Sequence, residues 1–238
     1  MGNVDTLLKG LRDLDITLNQ EQISKFIKYK SLLIEWNERI NITAITDEDE
    51  IDIKHFLDSL TPVTTKLFEG NVKVIDIGTG GGFPGIPLKI YNEKLNVTLL
   101  DSLNKRIVFL NEVIKSLGFN DIEAVHGRAE ELGRKVEFRE QYDISISRAV
   151  ATLNTLSEYC IPFVKVGGYF ISMKGPDVEE ELKDAKRGIE ILGGKVVEVK
   201  SLRLPQSDII HTLIIVEKIK ETPTKYPRAG GKPKKNPL

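Results

Sequence analysis

The stretch that decides the fold is Val74-Ile75-Asp76-Ile77-Gly78-Thr79-Gly80-Gly81-Gly82-Phe83-Pro84-Gly85, in which a short apolar run leads into four glycines. Glycine lets the backbone turn sharply and approach a ligand closely. Pro84 or Pro87 suits the first turn of a helix that follows the loop. A strand, a glycine loop and a helix in this order predict a ligand site outside the carboxyl end of a strand in an α/β sheet.

Beyond this loop, short apolar runs alternate with helical patterns. The apolar runs cover residues 72–77, 97–101, 122–126, 142–147 and 168–174, and the clearest helical patterns cover 105–117 and 177–192. This alternation predicts a mostly parallel sheet with helices on both faces. Two further apolar runs, 196–202 and 209–216, are joined by a short loop without a helix. They predict an antiparallel hairpin at the end of the sheet.

The residues before the glycine loop are predicted to be helical. One helix presents an apolar face at spacings of three and four, formed by Phe26, Tyr29, Leu33, Trp36 and Ile40. Residues 41–43 interrupt it, and a second helix is expected to start after Thr46 and to end at Pro62. The predicted organisation is a helical extension packed on the core (1–66), an α/β domain (67–220) and a basic Pro/Gly-rich tail outside the core (221–238).

Composition limits the class of protein. The chain has 238 residues, of which 40% are hydrophobic and 29% are charged, and this suits one α/β domain with a modest extension. The single cysteine, Cys160, excludes an internal disulfide and a cysteine metal cluster, and no metal site is expected. Because the sequence has neither a long apolar run nor a signal-peptide pattern, a cytoplasmic protein is expected.

The charge is unevenly distributed. Residues from Lys218 onward carry a net charge of +6, whereas residues 1–217 carry −7. A basic tail on an acidic body indicates an anionic partner such as a phosphate backbone, and the alternative is a solvated tail without a partner. The candidate RNA-binding residues are Lys225, Arg228, Lys232, Lys234 and Lys235.

The glycine loop is compatible with two cofactors. Gly80, Gly82 and Gly85 match G-x-G-x-x-G, so a dinucleotide is one possibility. Asp101, at the end of the next predicted strand, could accept hydrogen bonds from the ribose of either cofactor. S-adenosylmethionine (AdoMet) is favoured because Asp76 precedes the first glycine by two residues, where an acid can face the cationic methionine end. Pro84 also makes a poor start for a pyrophosphate-binding helix, and the terminal hairpin is typical of methyltransferases.

Two later loops contribute further candidates. Gly127-Arg128-Ala129-Glu130 follows the third predicted strand, where Glu130 is in reach of an adenine edge or is simply an acid at a helix start. Ser147-Arg148-Ala149-Val150 follows the fourth strand, where Arg148 either faces the transferred methyl group or forms a surface salt bridge.

Together these motifs resemble the ribosomal RNA small-subunit methyltransferase G family, also called glucose-inhibited division protein B. The resemblance covers nearly the whole chain. The matching segments are residues 41–45, 54–60, 76–85, 100–102, 105–106, 128–130, 147–150, 173–175 and the tail from 225 to 238. The blocks around His55 and Arg148 and the tail are more specific than the glycine loop, which is generic to the fold.

The resemblance implies a Rossmann-like class I AdoMet-dependent methyltransferase fold with seven strands. It implies transfer of a methyl group to N7 of one guanine in 16S rRNA, and by matching position it assigns AdoMet contacts to Gly78, Phe83, Ala129, Glu130 and Arg148. The full predicted cofactor set adds Asp76, Gly80, Gly82, Asp101 and Ser102. The expected partner is 16S rRNA or a small-subunit ribosomal particle, with no DNA and no membrane, and the chain is expected to act as a monomer.

This chemistry explains why no catalytic dyad or triad is evident. Guanine N7 has a lone pair and loses no proton on methylation, so no general base is required. Arg148 and His55 are candidates on the substrate side, although His55 is equally compatible with a core position. The alternatives are a methyltransferase acting on a small molecule and a non-catalytic nucleotide- or RNA-binding module.

Overall fold

The computed structural model describes residues 4–148 and 151–238. The chain divides into two compact units. The first comprises the residues up to Val72, Thr79–His126 and Arg203–Ile209, and the second comprises Lys73–Gly78, Gly127–Leu202 and Ile210–Leu238. Among the described residues, no helix has the length and apolar character that crossing a membrane requires.

The secondary structure alternates as the sequence predicts. The strands are β1 (Lys73–Ile77), β2 (Asn96–Asp101), β3 (Ile122–His126), β4 (Tyr142–Arg148), β5 (Val164–Lys174), β6 (Gly194–Arg203) and β7 (Ile210–Lys218). The helices are α1 (Asp5–Asp13), α2 (Gln20–Ile40), α3 (Glu48–Ile51), α4 (Asp58–Leu60), α5 (Gly85–Tyr91), α6 (Asn104–Leu117), α7 (Ala129–Leu132), α8 (Leu153–Cys160), α9 (Glu179–Ile191) and α10 (Lys232–Lys235). A π-helical segment, Asp52–Leu57, connects α3 to α4, and short 3-10 helices cover Thr61–Thr65 and Ile161–Phe163.

The strand order of the seven-stranded sheet is β3-β2-β1-β4-β5-β7-β6. Strand pairs β1–β4, β2–β3 and β4–β5 are parallel, whereas β5–β7 is antiparallel. The last strand therefore enters the sheet between β5 and β6. The predicted mostly parallel sheet with a terminal hairpin is confirmed.

In the first unit, α2 is built as its sequence indicates. Asn19 and Gln22 form a reciprocal capping box at its start, and Asn41 ends it in the left-handed conformation. The α-helix of the following stretch ends at Leu60, before Pro62 as predicted, and the chain continues as a 3-10 helix to Thr65. Pro62 lies in the first turn of that 3-10 helix, where a missing N–H leaves no hydrogen bond unmade.

The core of the first unit is partly aromatic. Phe26 and Phe56 lie 5.1 Å apart between ring centroids, and Tyr29 lies 5.4 Å from the Phe56 ring. The buried Lys30 ammonium lies 2.9 Å from the buried Asp52 carboxylate in the π-helical segment. The N-terminal helices are therefore held by apolar packing and by one buried ion pair.

In the second unit, the chain after β7 differs from the expected tail outside the core. Thr222, Tyr226 and Pro233 are buried. The Arg139 guanidinium donates to the carbonyl oxygens of Thr222 at 2.6 Å and of Tyr226 at 2.8 Å. We call residues 222–238 the C-terminal strap. Its polar backbone is satisfied by side chains of the second unit, which is why a segment poor in apolar residues packs there.

Candidate cofactor and substrate residues

The glycine loop adopts backbone conformations that favour glycine. Gly78, Gly80 and Gly82 have φ angles of 71°, 62° and 99°. In the first unit, the N–H groups of Gly82 and Phe83 both donate to the Thr79 carbonyl at 2.9 Å. A Cβ at Gly82 would lie 2.5 Å from Ile86 Cδ1 and 2.7 Å from the Tyr29 hydroxyl. The tight turn therefore leaves no room for a side chain at Gly82.

Asp101 fastens this loop at the end of β2. Its carboxylate is only 2% exposed and accepts hydrogen bonds from the Gly80 N–H at 2.9 Å, the Leu103 N–H at 2.9 Å and the Arg106 guanidinium at 3.1 Å. Ser102, the next residue in the predicted cofactor set, is exposed. Two residues that the sequence assigned to one ligand, Gly80 and Asp101, are thus in direct contact.

His55 stacks on Phe83. The two rings are nearly parallel, with centroids 4.5 Å apart and an interplanar angle of 10°, and His55 is 8% exposed. The His55 Nε2 atom lies 2.8 Å from Thr43 Oγ1. The Tyr29 hydroxyl donates to the Gly81 carbonyl. The N-terminal helices of the first unit therefore fix both the side chains and the backbone of the glycine loop.

The sequence did not assign Tyr29 and Arg106 to the site. Tyr29 was recognised only as part of an apolar helix face. A buried tyrosine hydroxyl needs a hydrogen-bond partner, which is the signal that could have identified it. Arg106 lies on α6, five residues after Asp101, and an acid followed by an arginine at that distance is too common to be diagnostic.

In the second unit, two predicted acidic residues are buried. Asp76 is fully buried in β1, and Glu130, in the first turn of α7, is 5% exposed. The Arg128 guanidinium approaches Glu130 Oε1 at 3.9 Å, and Ala129 is the first residue of α7. An acid in the first turn of a helix is stabilised by the helix dipole, so its burial alone does not identify a ligand.

Arg148 is the last residue of β4 and is half-buried. Ala149 and Val150 of the same motif lie outside the described residues. The chain that follows is held by Lys174, whose ammonium donates to the Ala151 carbonyl at 2.7 Å and pairs with Glu181 at 2.7 Å. Glu181 also accepts a hydrogen bond from the Leu153 N–H at 2.9 Å. Lys174 of the Met173-Lys174-Gly175 motif, together with Glu181, therefore supports the chain from Ala151 to Leu153.

Cys160 is fully buried at the end of α8. Burial raises the pKa of its thiol well above the usual value, so the thiolate does not form near neutral pH. Methylation through a cysteine nucleophile would need that thiolate, and the position and protonation of Cys160 do not support such chemistry.

The predicted RNA-binding residues of the strap differ in environment. Lys225, Lys232, Lys234 and Lys235 are exposed. Arg228 instead pairs with the fully buried Glu158 of α8, with guanidinium-to-carboxylate distances of 2.6 to 3.1 Å. The backbone N–H of Arg228 donates to the same carboxylate at 2.7 Å.

Comparison with known proteins agrees with this fold. The family model described as rRNA small subunit methyltransferase G matches residues 22–210. "Ribosomal RNA small subunit methyltransferase G" of Alkaliphilus metalliredigens (strain QYMF) is 54% identical, with coverage of 98% of this chain and 97% of that protein. The protein of the same name from Thermoanaerobacter sp. (strain X514) is 51% identical, with coverage of 99% and 98%.

A solved structure, M. jannaschii TYW2 in complex with AdoMet, shares the fold with a TM-score of 0.53. It is 19% identical to this chain, and the match covers 68% of this chain and 77% of that one. The fold class and the resemblance predicted from the sequence are confirmed. This chain belongs to the rRNA small subunit methyltransferase G family.

Proposed function

We propose that this protein transfers a methyl group from AdoMet to N7 of one guanine in 16S rRNA. The observation that carries the proposal is the glycine loop fastened to the buried Asp101 carboxylate, in a chain that belongs to a family of rRNA methyltransferases. Because the proposed substrate is bacterial rRNA, we expect the reaction to take place in the cytoplasm.

In the first unit, Gly80, Gly82, Phe83, Asp101 and Ser102 are assigned to AdoMet. A Cβ at Gly81 would lie 2.8 Å from Ile42 and 2.9 Å from Phe83, so the loop is closely packed on the protein side. The Asp101 carboxylate accepts three hydrogen bonds, whereas a carboxylate can accept about four. Asp101 therefore keeps capacity for a ribose hydroxyl while it holds the loop.

In the second unit, Asp76, Gly78, Ala129, Glu130 and Arg148 are assigned to AdoMet. The burial of Asp76 within a strand supports this, because a buried carboxylate suits a cationic or hydrogen-bond-donating group. Arg148 is also a candidate for contact with the guanine or a phosphate, because guanidinium groups suit both.

When bound, AdoMet supplies an electrophilic methyl group on its sulfonium. The protein's own contribution is binding and orientation, which can lower a barrier by up to about 7–11 kcal/mol. Since guanine N7 carries no proton to remove, no side chain of this chain has to act as a general base. Arg148 and His55 are assigned to orienting the substrate.

The experiment is mass mapping of 16S rRNA from cells that lack this gene. Naked RNA and small-subunit particles are incubated with the purified protein and isotopically labelled AdoMet. We expect one guanine to gain one labelled methyl group at N7. Labelling of no RNA site by a protein that binds AdoMet would contradict the proposal and favour a small-molecule substrate.

A matched pair of variants tests the cofactor assignment by calorimetry. Asp101→Asn removes the charge that accepts from a ribose hydroxyl, and we expect AdoMet affinity to fall roughly tenfold, the scale of one charge-assisted hydrogen bond. Asp121→Asn removes an exposed charge of the same unit and should leave the affinity unchanged. Equal affinities in calorimetry would overturn the role of Asp101.

A further inference from the structure

The C-terminal strap is a folded part of the second unit. Besides the Arg139 contacts, the Pro227 carbonyl accepts a hydrogen bond from Arg134 at 3.1 Å, and the Thr222 hydroxyl donates to the Leu192 carbonyl at 2.6 Å. The backbone of the strap is therefore held in one conformation, which fixes the positions from which its charged side chains extend.

Arg228 is the most strongly bound residue of the strap. Glu158 is 0% exposed and receives the Arg228 guanidinium through both Nε and Nη2, together with the Arg228 backbone N–H. The Nη2 atom also donates to the Asn236 carbonyl at 2.9 Å, which closes the strap on itself. Three of the five N–H donors of this guanidinium, those on Nε and Nη2, are used in these bonds, so only the two on Nη1 are left for a phosphate.

Three lysines of the strap, unlike Arg228, are exposed and make no ion pair within the described residues. Lys232, Lys234 and Lys235 lie on α10 and are exposed, and none of them forms an ion pair within residues 4–148 and 151–238. Pro233, which lies between Lys232 and Lys234, is buried, and its carbonyl accepts a hydrogen bond from the Thr155 hydroxyl at 3.3 Å. The buried proline seats the short helix while its lysines point to solvent.

α10 contacts α8, which begins shortly after Arg148 in the chain, and Arg148 is a candidate for contact with the substrate. Thr155 lies in the first turn of α8, only seven residues along the chain after Arg148. Three cations within four residues suit the regularly spaced negative charges of a nucleic-acid backbone better than they suit a single anion.

We propose that the strap is a preformed phosphate-binding surface for RNA, in which Lys232, Lys234 and Lys235 contact the backbone and Arg228 is an internal positioning residue. This assignment rests on the proposed RNA substrate. It separates two roles within one basic segment: Arg228 orders the strap by binding Glu158, and the ordered strap presents the lysines. Preordering reduces the entropy that each lysine loses on binding.

The first experiment measures affinity for a 16S rRNA fragment against salt concentration. The triple variant Lys232→Gln, Lys234→Gln and Lys235→Gln should lower the slope of log affinity against log salt by about two units, at about 0.7 per phosphate contact with single-stranded nucleic acid. An unchanged slope would overturn the proposal that these three lysines contact the RNA backbone. All three substitutions are on exposed side chains, so folding is not at risk.

The second experiment distinguishes the two possible roles of Arg228. Glu158→Gln weakens the anchor, and we expect RNA affinity to fall roughly threefold to tenfold, the effect of ordering one or two long side chains on binding. Hydrogen exchange in residues 222–238 should accelerate. If Arg228 instead contacts phosphate, Glu158→Gln releases it and RNA affinity rises, which would overturn the anchor.

Two further variants control for charge and for folding. Glu221→Gln removes the same negative charge from an exposed position beside the strap and should not weaken RNA binding. Arg228→Lys keeps the positive charge but loses the planar fork, so an anchor predicts weaker RNA binding and a phosphate contact predicts little change. The Arg228→Lys comparison decides the role even if Glu158→Gln does not fold.

The failure of this inference can be told apart from the failure of the proposed function. Absence of RNA binding by the unaltered protein would overturn the RNA substrate and the surface together. Normal RNA binding that is unaffected by the lysine and Arg228 substitutions would overturn the surface alone.

Discussion

The N-terminal helices and the C-terminal strap are each held within their own unit by a buried acid paired with a base, but the surrounding chemistry differs. In the first region Lys30 pairs with Asp52, and the rings of Phe26, Tyr29 and Phe56 pack against one another. Arg228 and Glu158 lie where arginine side chains satisfy backbone carbonyls of the strap. Apolar packing thus fixes the first region, whereas hydrogen bonds to the backbone fix the second.

This difference has an energetic consequence. Apolar burial is not directional, and many contacts share the stabilisation. Hydrogen bonds to carbonyls depend on single side chains, and each loss leaves a buried acceptor without a partner. We therefore expect the N-terminal region to tolerate most single changes outside its ion pair and its close contacts with the glycine loop. The strap should depend on a few arginines.

The largest effect is expected from Lys30→Met. Removing one partner of a buried pair leaves an uncompensated charge, and the free energy of unfolding at pH 7.5 should fall by about 3–5 kcal/mol. Exposed Lys9→Met on α1 is the control. Urea unfolding measures both, and a loss below about 1 kcal/mol, the scale of an exposed pair, would contradict the importance of this ion pair.

The Lys30→Met defect should depend on pH. Burial raises the pKa of Asp52 to about 6, above its ordinary value, although Lys30 partly opposes this shift. A folded-state pKa above the unfolded value means that the folded protein binds more protons between those values, so this group lowers stability as pH rises through that range. Without Lys30 the pKa rises further. We therefore expect the defect to shrink between pH 7.5 and pH 5 as Asp52 becomes neutral.

Gly82→Ala should have the next largest effect. The added Cβ meets Ile86 and the Tyr29 hydroxyl at a φ of 99°, and strain plus overpacking should cost about 2–4 kcal/mol of unfolding free energy. Gly118→Ala is matched, because Gly118 has a φ of 70° with no atom within 4 Å, and should cost only about 1 kcal/mol. Equal losses in urea unfolding would show that the close contact with α2 is unimportant.

Arg139→Gln should have the smallest global effect and the most localised one. It removes charged donors from the Gly133, Thr222 and Tyr226 carbonyls, and we expect the free energy of unfolding to fall by about 1.5–3 kcal/mol. Hydrogen exchange should accelerate in residues 222–238 and not in α2. Uniform acceleration across the chain would instead mean that the strap is not a separately held segment. Arg39→Gln, on an exposed side chain, is the control.

Much of the fold was predictable from the sequence because it depends on repeated patterns. The strands and helices are predictable from the spacing of apolar residues, because each element contains several such residues that indicate the same structure. The position of Asp101 at a strand end and its proximity to Gly80 also follow, since the carboxyl ends of parallel strands meet at one edge. The order of the strap was not predictable, because its main acceptors are backbone carbonyls, which occur at every residue and leave no sequence pattern.

The site shows the same division. The glycines and acids were identified because their chemistry restricts the residue type. The contacts of Tyr29 with Gly81 and of Arg106 with Asp101 were not, because they depend on where two helices pack rather than on any local sequence. Charge alone groups Arg228 with the exposed lysines, and charge does not show whether a side chain faces solvent.

The buried Cys160 makes the protein chemically simple to label. It is the single cysteine of the sequence, and its thiol is both enclosed and held in the unreactive protonated form. A thiol-reactive dye would therefore modify only a cysteine introduced at the surface, for example by Lys234→Cys on α10. The strap can then be followed spectroscopically in an otherwise unaltered chain, without first removing the native cysteine.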